Sequence, residues 1–159
     1  MIEIGQKFPN FKAKAGVGGE IIEVTQNLFK GKTVALFAVP GAFTPTCNNE
    51  HLPSYINSFG DLKAKGIDIV ACLSVNDVFV LMGWGKIANA EDKMTFLADW
   101  NADITKSLGL DIDLSAHGLG VRAKRFSMII KDGVVTALHV EDSPGTCSVT
   151  RGDAMLAEL

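Results

Sequence analysis

Residues 33–53 read "TVALFAVPGAFTPTCNNEHLP". From Thr33 to Pro40 the run is short and apolar, with Gly31 before it and Gly41 directly after. Such a run fits a strand buried on both faces, as in a parallel sheet. Beyond Pro45 the spacing changes. Leu52, Tyr55, Ile56, Phe59 and Leu62 recur at helical intervals as far as Lys65, and Gly66 stops the pattern. "IDIVACLSV", residues 67–75, is a second buried strand. Strand, helix and strand make a βαβ unit with a right-handed crossover. Pro53 lies inside the helix, where it removes a backbone donor and predicts a kink.

Working outward, residues 77–90 ("DVFVLMGWGKIANA") read as a helix weakened by Gly83 and Gly85. "MTFLAD" (94–99) reads as a third strand, and "DITKSLGL" (103–110) as a short helix capped by Asp103 and ended at Gly109. "RFSMIIKDGVVTALHV" (125–140) is a pair of strands joined around Asp132-Gly133, a hairpin signal. "RGDAMLAEL" (151–159) closes the chain as a short helix. The order β-α-β-α-β-α-β-β-α predicts an α/β fold, a central mixed β-sheet flanked by helices, in one domain over residues 1–159. "GVGGE" near residue 18 reads as a turn, because neither phosphate-loop pattern is completed.

The strand-to-helix turn holds a cysteine. Thr44 suits the N-cap and Pro45 the first helical position, where its missing N–H costs nothing. Cys47 then falls in the first turn, facing unpaired N–H groups and the positive end of the helix dipole. A thiol of pKa ~8.5 in water ionises more readily in such a place. The carboxyl end of a buried strand is also where α/β folds place their active sites. The expectation is a reachable, reactive thiol rather than a structural one.

"PGAFTPTC" resembles the peroxidatic motif of peroxiredoxins, Pro-x-x-x-Thr-x-x-Cys, with Pro40, Thr44 and Cys47 in the three places. "VPGAFTPTCNNEHLPSY", "IVACLSVND", "GWG" and "RAKRFSMIIKDGVV" are similar to the peroxiredoxin-5 (type II) subfamily, in order and across nearly the whole chain. The resemblance implies a thioredoxin-like fold and a peroxidase acting on hydrogen peroxide and alkyl hydroperoxides through a sulfenic acid on Cys47. It also implies an arginine beside the thiolate. Of Arg122, Arg125 and Arg151, the motif position matches Arg125, before "FSMII". Its planar fork can donate to thiolate and peroxide together; Arg122 reads as a surface residue. Thr44 would orient the peroxide and Pro40 would shield the thiolate, with Phe43, Gly41 and Ala42 shaping the entrance.

Cys147, in the loop-like "SPGTCSVT", resembles the resolving cysteine of the atypical two-cysteine members. Cys72 lies mid-strand among apolar residues and reads as inert, while the resemblance to plant-like members leaves a resolving role as the less favoured alternative. The resemblance leaves two reductants open, thioredoxin or glutathione with glutaredoxin, and implies a homodimer without metal, haem or flavin. Another class shares the same thiol: a redox sensor or relay passing disulfides to a partner. His51, four residues after Cys47, could make a hydrolase-like Cys–His pair, but a local structural role fits better.

Composition narrows the field further. A net charge of −3 and a pI near 5.6 give no basic field for nucleic acid. The opening "MIEIGQKFPNF" does not read as a secretory signal, and no apolar run approaches a membrane span. Three cysteines without paired C-x-x-C spacing suggest neither a disulfide scaffold nor a metal site. A cytoplasmic location is expected.

Overall fold

The structure, a computed structural model, describes residues 1–159. In chain order the elements are β1 (Lys12–Val17), β2 (Glu20–Thr25), β3 (Thr33–Val39), α1 (Leu52–Ala64), β4 (Ile69–Ser74), α2 (Val78–Ile87), β5 (Thr95–Ala98) and α3 (Asp103–Leu108). They continue with β6 (Asp111–Asp113), β7 (Val121–Ala123), β8 (Phe126–Lys131), β9 (Val134–Val140) and α4 (Gly152–Leu156). Seven strands form one mixed sheet in the order β2-β1-β5-β4-β3-β8-β9. β3, β4 and β5 are parallel, while β8 joins β3, and β1 joins β5, antiparallel. β6 and β7 pair separately.

The unbroken apolar run of β3 has a direct explanation. Val34, Leu36 and Ala38 enter one hydrophobic cluster, and Ala35, Phe37 and Val39 enter another on the opposite face. Alternate side chains of a strand point to opposite faces, so a strand covered on both sides has no polar position. The second cluster is roofed by Leu52, Tyr55 and Leu62 of α1, Leu81 and Trp84 of α2 and Met155 of α4. Gly85 belongs to that packing: a Cβ there would lie 2.7 Å from the Phe96 ring. The glycine that weakens α2 as a helix is what lets α2 lie close on β5.

Three expectations change. The hairpin of β1 and β2 goes unread apart from its Gly18-Gly19 turn, both residues at positive φ. The first turn of α3 is capped by Asp99 rather than Asp103. The buried Asp99 carboxylate accepts from Ile104 N at 3.0 Å and Thr105 N at 2.8 Å, whereas Asp103 is itself the first helical residue. Pro53 falls in the first turn of α1 rather than in a helix interior. The five residues before α1, Cys47–His51, form a π turn closed by Leu52 N donating to the Cys47 carbonyl. This wider turn shifts the hydrogen-bond register just before the proline, where an α-helical donor would be missing. Gly66 and Gly109 end α1 and α3 as expected, both at positive φ.

Candidate active site

The carboxyl end of β3 runs into Pro40, turns through Gly41–Thr44 and enters the π turn at Cys47. The turn is tethered to β4 by Asn76, whose Oδ1 accepts from Ala42 N at 3.0 Å and from Ser74 Oγ at 2.6 Å. Thr44 stands at the helix start, its carbonyl accepting from Asn48 N at 2.8 Å. Its hydroxyl does not cap. Instead Oγ1 donates to the Gly41 carbonyl at 2.7 Å, and no side chain caps the π turn. A hydroxyl has one hydrogen and two lone pairs, so Thr44 now offers only acceptor capacity to anything bound beside it.

Cys47 is 1% exposed, which corrects the expectation of an open first-turn thiol. A pocket of about 210 Å³ is lined by Pro40, Thr44, Pro45, Leu119, Arg125 and Pro144, among others, and Arg125 links that lining to the sulfur. Pro40 is buried, and its carbonyl accepts from Arg122 Nη1 at 3.2 Å. Arg122 is therefore half-buried rather than superficial; its Nε also donates to the Leu119 carbonyl at 2.8 Å. Phe43 does not line this pocket. It is 48% exposed, with its ring toward Trp84.

Arg125, at 1% exposure, is the cation beside the sulfur. Nη2 donates to Cys47 Sγ at 3.1 Å and to the Pro144 carbonyl at 2.8 Å. Nε donates to the same carbonyl at 3.2 Å, and Nη1 lies 2.9 Å from His51 Nδ1. These are four hydrogen bonds against the five N–H groups of a guanidinium. One Nη1 hydrogen is left over.

His51 was readable only as a neighbour of the thiol, yet its ring turns to the arginine. Burial, reinforced by the Arg125 charge, lowers its pKa from 6.5 to about 3, so the ring is neutral at physiological pH. Nε2 faces the Thr150 carbonyl at 3.0 Å and must carry the hydrogen. Nδ1 is then the bare nitrogen that accepts from Arg125. This arrangement leaves His51 no part as a base for Cys47, against the hydrolase-like pairing.

Cys72 is fully buried in β4, and burial, followed by the neighbouring Cys47, pushes its thiol well up. Cys147 is half-buried in the segment after β9, with burial again pushing the thiol up. All three cysteines are free. No three His, Cys, Asp or Glu side chains gather as a metal site, and no helix is long and apolar enough to cross a membrane.

The chain and its fold are similar to known proteins. The Redoxin family matches residues 3–156. The mitochondrial Peroxiredoxin-2F of Arabidopsis thaliana is 44% identical over 133 residues, covering 84% of this chain and 66% of that protein. The chloroplastic Peroxiredoxin-2E of the same plant is 40% identical over 163 residues, covering 99% and 69%. The chain thus spans about two thirds of the length of these curated relatives. Reduced Prx3 of Vibrio vulnificus in complex with hydrogen peroxide superposes with a TM-score of 0.92 at 46% identity, covering 99% of each chain. Peroxiredoxin 5 of Alvinella pompejana does so at 0.85 and 31% identity, covering 99% of this chain and 97% of that one. With a thioredoxin-like sheet, a buried thiol under an arginine and these relatives, the chain belongs to the Redoxin family, among its peroxiredoxins.

Proposed function

We propose that this protein is a thiol peroxidase reducing hydrogen peroxide and alkyl hydroperoxides at Cys47. The observation that carries the reading is the Arg125 guanidinium, buried and donating to Sγ while keeping one N–H of Nη1 unspent. The nucleophilic form of a cysteine is the thiolate, and here the sulfur would attack beside a fixed positive charge. A bound peroxide would accept from the spare N–H of Arg125 and donate its own hydrogen to Thr44 Oγ1, lying in line with sulfur. The thiolate attacks the oxygen that bears hydrogen and the O–O bond breaks. The other oxygen leaves with the bonding pair and takes a proton to become water or an alcohol. Sulfur keeps the attacked oxygen as a sulfenic acid. Donors preset around a breaking bond stabilise the charge that develops there. Pro40 would exclude water from the sulfur, and the apolar pocket lining suits an alkyl group. That the related Prx3 is known in complex with hydrogen peroxide supports the same substrate here.

For the second half-reaction we propose that Cys147 resolves the sulfenic acid: its thiolate attacks Cys47 sulfur, a disulfide forms, and oxygen leaves as water. Thioredoxin would then restore both thiols. The alternative outcome is attack by glutathione with recycling by glutaredoxin. We further propose a homodimer in the cytoplasm, where thiol reductants are maintained. Turnover of hydrogen peroxide and tert-butyl hydroperoxide, with thioredoxin or with glutathione and glutaredoxin supplied, tests the reading. Sustained turnover with either reductant supports the peroxidase. Oxidation that stops at one equivalent, with transfer of the disulfide to another protein, would instead support a redox relay.

A further inference from the structure

The arginine is held from a direction the chemistry above does not use. Glu141 follows β9 and is 8% exposed. Its backbone N donates to the Arg125 carbonyl at 3.0 Å, so the two residues sit side by side. Its carboxylate meets no cation within salt-bridge distance; it accepts only from the segment that follows. Oε2 takes Ser148 N at 2.9 Å, Thr150 N at 3.0 Å and Thr150 Oγ1 at 2.8 Å, and Oε1 takes Ser148 Oγ at 3.0 Å. Burial pushes this carboxyl up, but these hydrogen bonds outweigh it and hold it below its usual range.

What the carboxylate fixes is the part of the chain that touches Arg125. Pro144, at one end of the loop, offers the carbonyl that accepts from Nε and Nη2. Thr150, at the other end, offers the carbonyl that sets the His51 tautomer, and Tyr55 donates to the same oxygen at 2.8 Å. His51 Nδ1 then accepts from Nη1. Three of the four hydrogen bonds on the guanidinium therefore depend on where residues 144–150 lie. Thr46 Oγ1 donates to the Gly145 carbonyl at 3.3 Å, the loop's other tie to the thiol's own turn. The charged groups around His51 are Arg125, Glu141 and Arg151, the last paired with Asp153.

Building on the proposed peroxidase reaction, we propose that Glu141 is a positioning residue: it staples segment 144–150 so that the Pro144 carbonyl and His51 aim the Arg125 guanidinium at Cys47 sulfur. The segment also contains Cys147, so any excursion of that thiol toward Cys47 must first release the staple.

A double-mutant cycle separates positioning from mere stability, because groups acting as a unit are non-additive. Hydrogen peroxide reduction is measured for wild type, Glu141→Ala, Arg125→Lys and the double variant, at a temperature where melting curves show all four folded. Glu141→Ala is expected to lower the rate about tenfold, and by less than about twofold once Arg125 is already lysine. Glu141→Gln keeps the accepting oxygen for Thr150 and should recover most of the loss. If Glu141→Ala is not folded, Thr150→Val removes one donor to the staple and enters the same cycle. Equal losses with arginine and with lysine at 125, or no loss with arginine, would overturn the inference. Absence of turnover in the wild type would instead count against the peroxidase itself.

Discussion

Cys47 and Cys72 share a hydrophobic cluster, and neither is more than 1% exposed. Burial alone therefore does not tell a reactive thiol from an inert one. Cys72 sits mid-strand in β4 and has no donor aimed at it; burial raises the cost of its anion. Cys47 opens a π turn beyond the end of β3, where sulfur meets a guanidinium that also lines a pocket. The position in the fold does the sorting. A strand interior has its polar groups spent on neighbours, whereas a strand-to-helix turn leaves room for a charge and for a substrate.

The strongest way to break this contrast is to exchange the thiols for hydroxyls. Cys47→Ser is expected to abolish peroxide turnover. Cys72→Ser should keep most of it, although a hydroxyl buried without a partner costs about 1–3 kcal/mol in a melting experiment. The next test leaves both cysteines intact. Arg125→Lys keeps the charge but cannot reach Pro144, His51 and sulfur together, so peroxide reduction should fall about 100-fold with folding retained. Arg122→Lys loses part of the bridge between the Pro40 and Leu119 carbonyls and should cost less than about tenfold, the worth of a hydrogen bond or so. Similar losses for the two arginines would place the charge on the wrong one.

A smaller effect concerns acid. The folded His51 titrates at about 3 against 6.5 for an ordinary histidine. Between these values the unfolded chain binds the proton and the folded chain does not. Stability from this group is therefore complete above about pH 6.5 and falls as pH drops toward 3, by up to about 1.4 kcal/mol per pH unit. Denaturant melts across that window should show the slope, and His51→Gln should flatten it. Least of all on chemistry, Gly152→Ala would put a Cβ 2.5 Å from the Ser54 carbonyl, lifting α4 from α1. Overpacking of this kind costs about 1–3 kcal/mol of stability, read as a lower melting temperature with Cys47 still reactive.

Much of the frame was legible in the sequence. Unbroken apolar runs announced β3 and β4, and Asp132-Gly133 marked the β8–β9 turn, with Asp132 and Gly133 both at positive φ. β1 and β2 were not legible because the pair is exposed along much of its length, leaving no clean alternation. At the site, the motif pointed to Cys47, Thr44, Pro40 and Arg125; Pro40, Thr44 and Arg125 line one pocket, and Arg125 reaches the Cys47 sulfur. The donor direction of Thr44 could not be read, since a cap and a bond back to Gly41 use the same residue at the same place. Nor could the service of His51 and Glu141 to Arg125. His51 and Thr150 meet across 99 positions, and no local spacing encodes that contact. A carboxylate in a Ser/Thr-rich loop gives no sign of what the loop holds.

The account turns on which sulfur takes the oxygen. One equivalent of hydrogen peroxide, added to the fully reduced protein in the presence of dimedone and followed by peptide mapping, reads this directly. The expected result is that oxidation falls on Cys47 alone, as a dimedone adduct or, where Cys147 reacts first, as a Cys47–Cys147 disulfide, with the Cys72 peptide unmodified. An adduct on Cys72, or one shared equally between the two buried thiols, would contradict it.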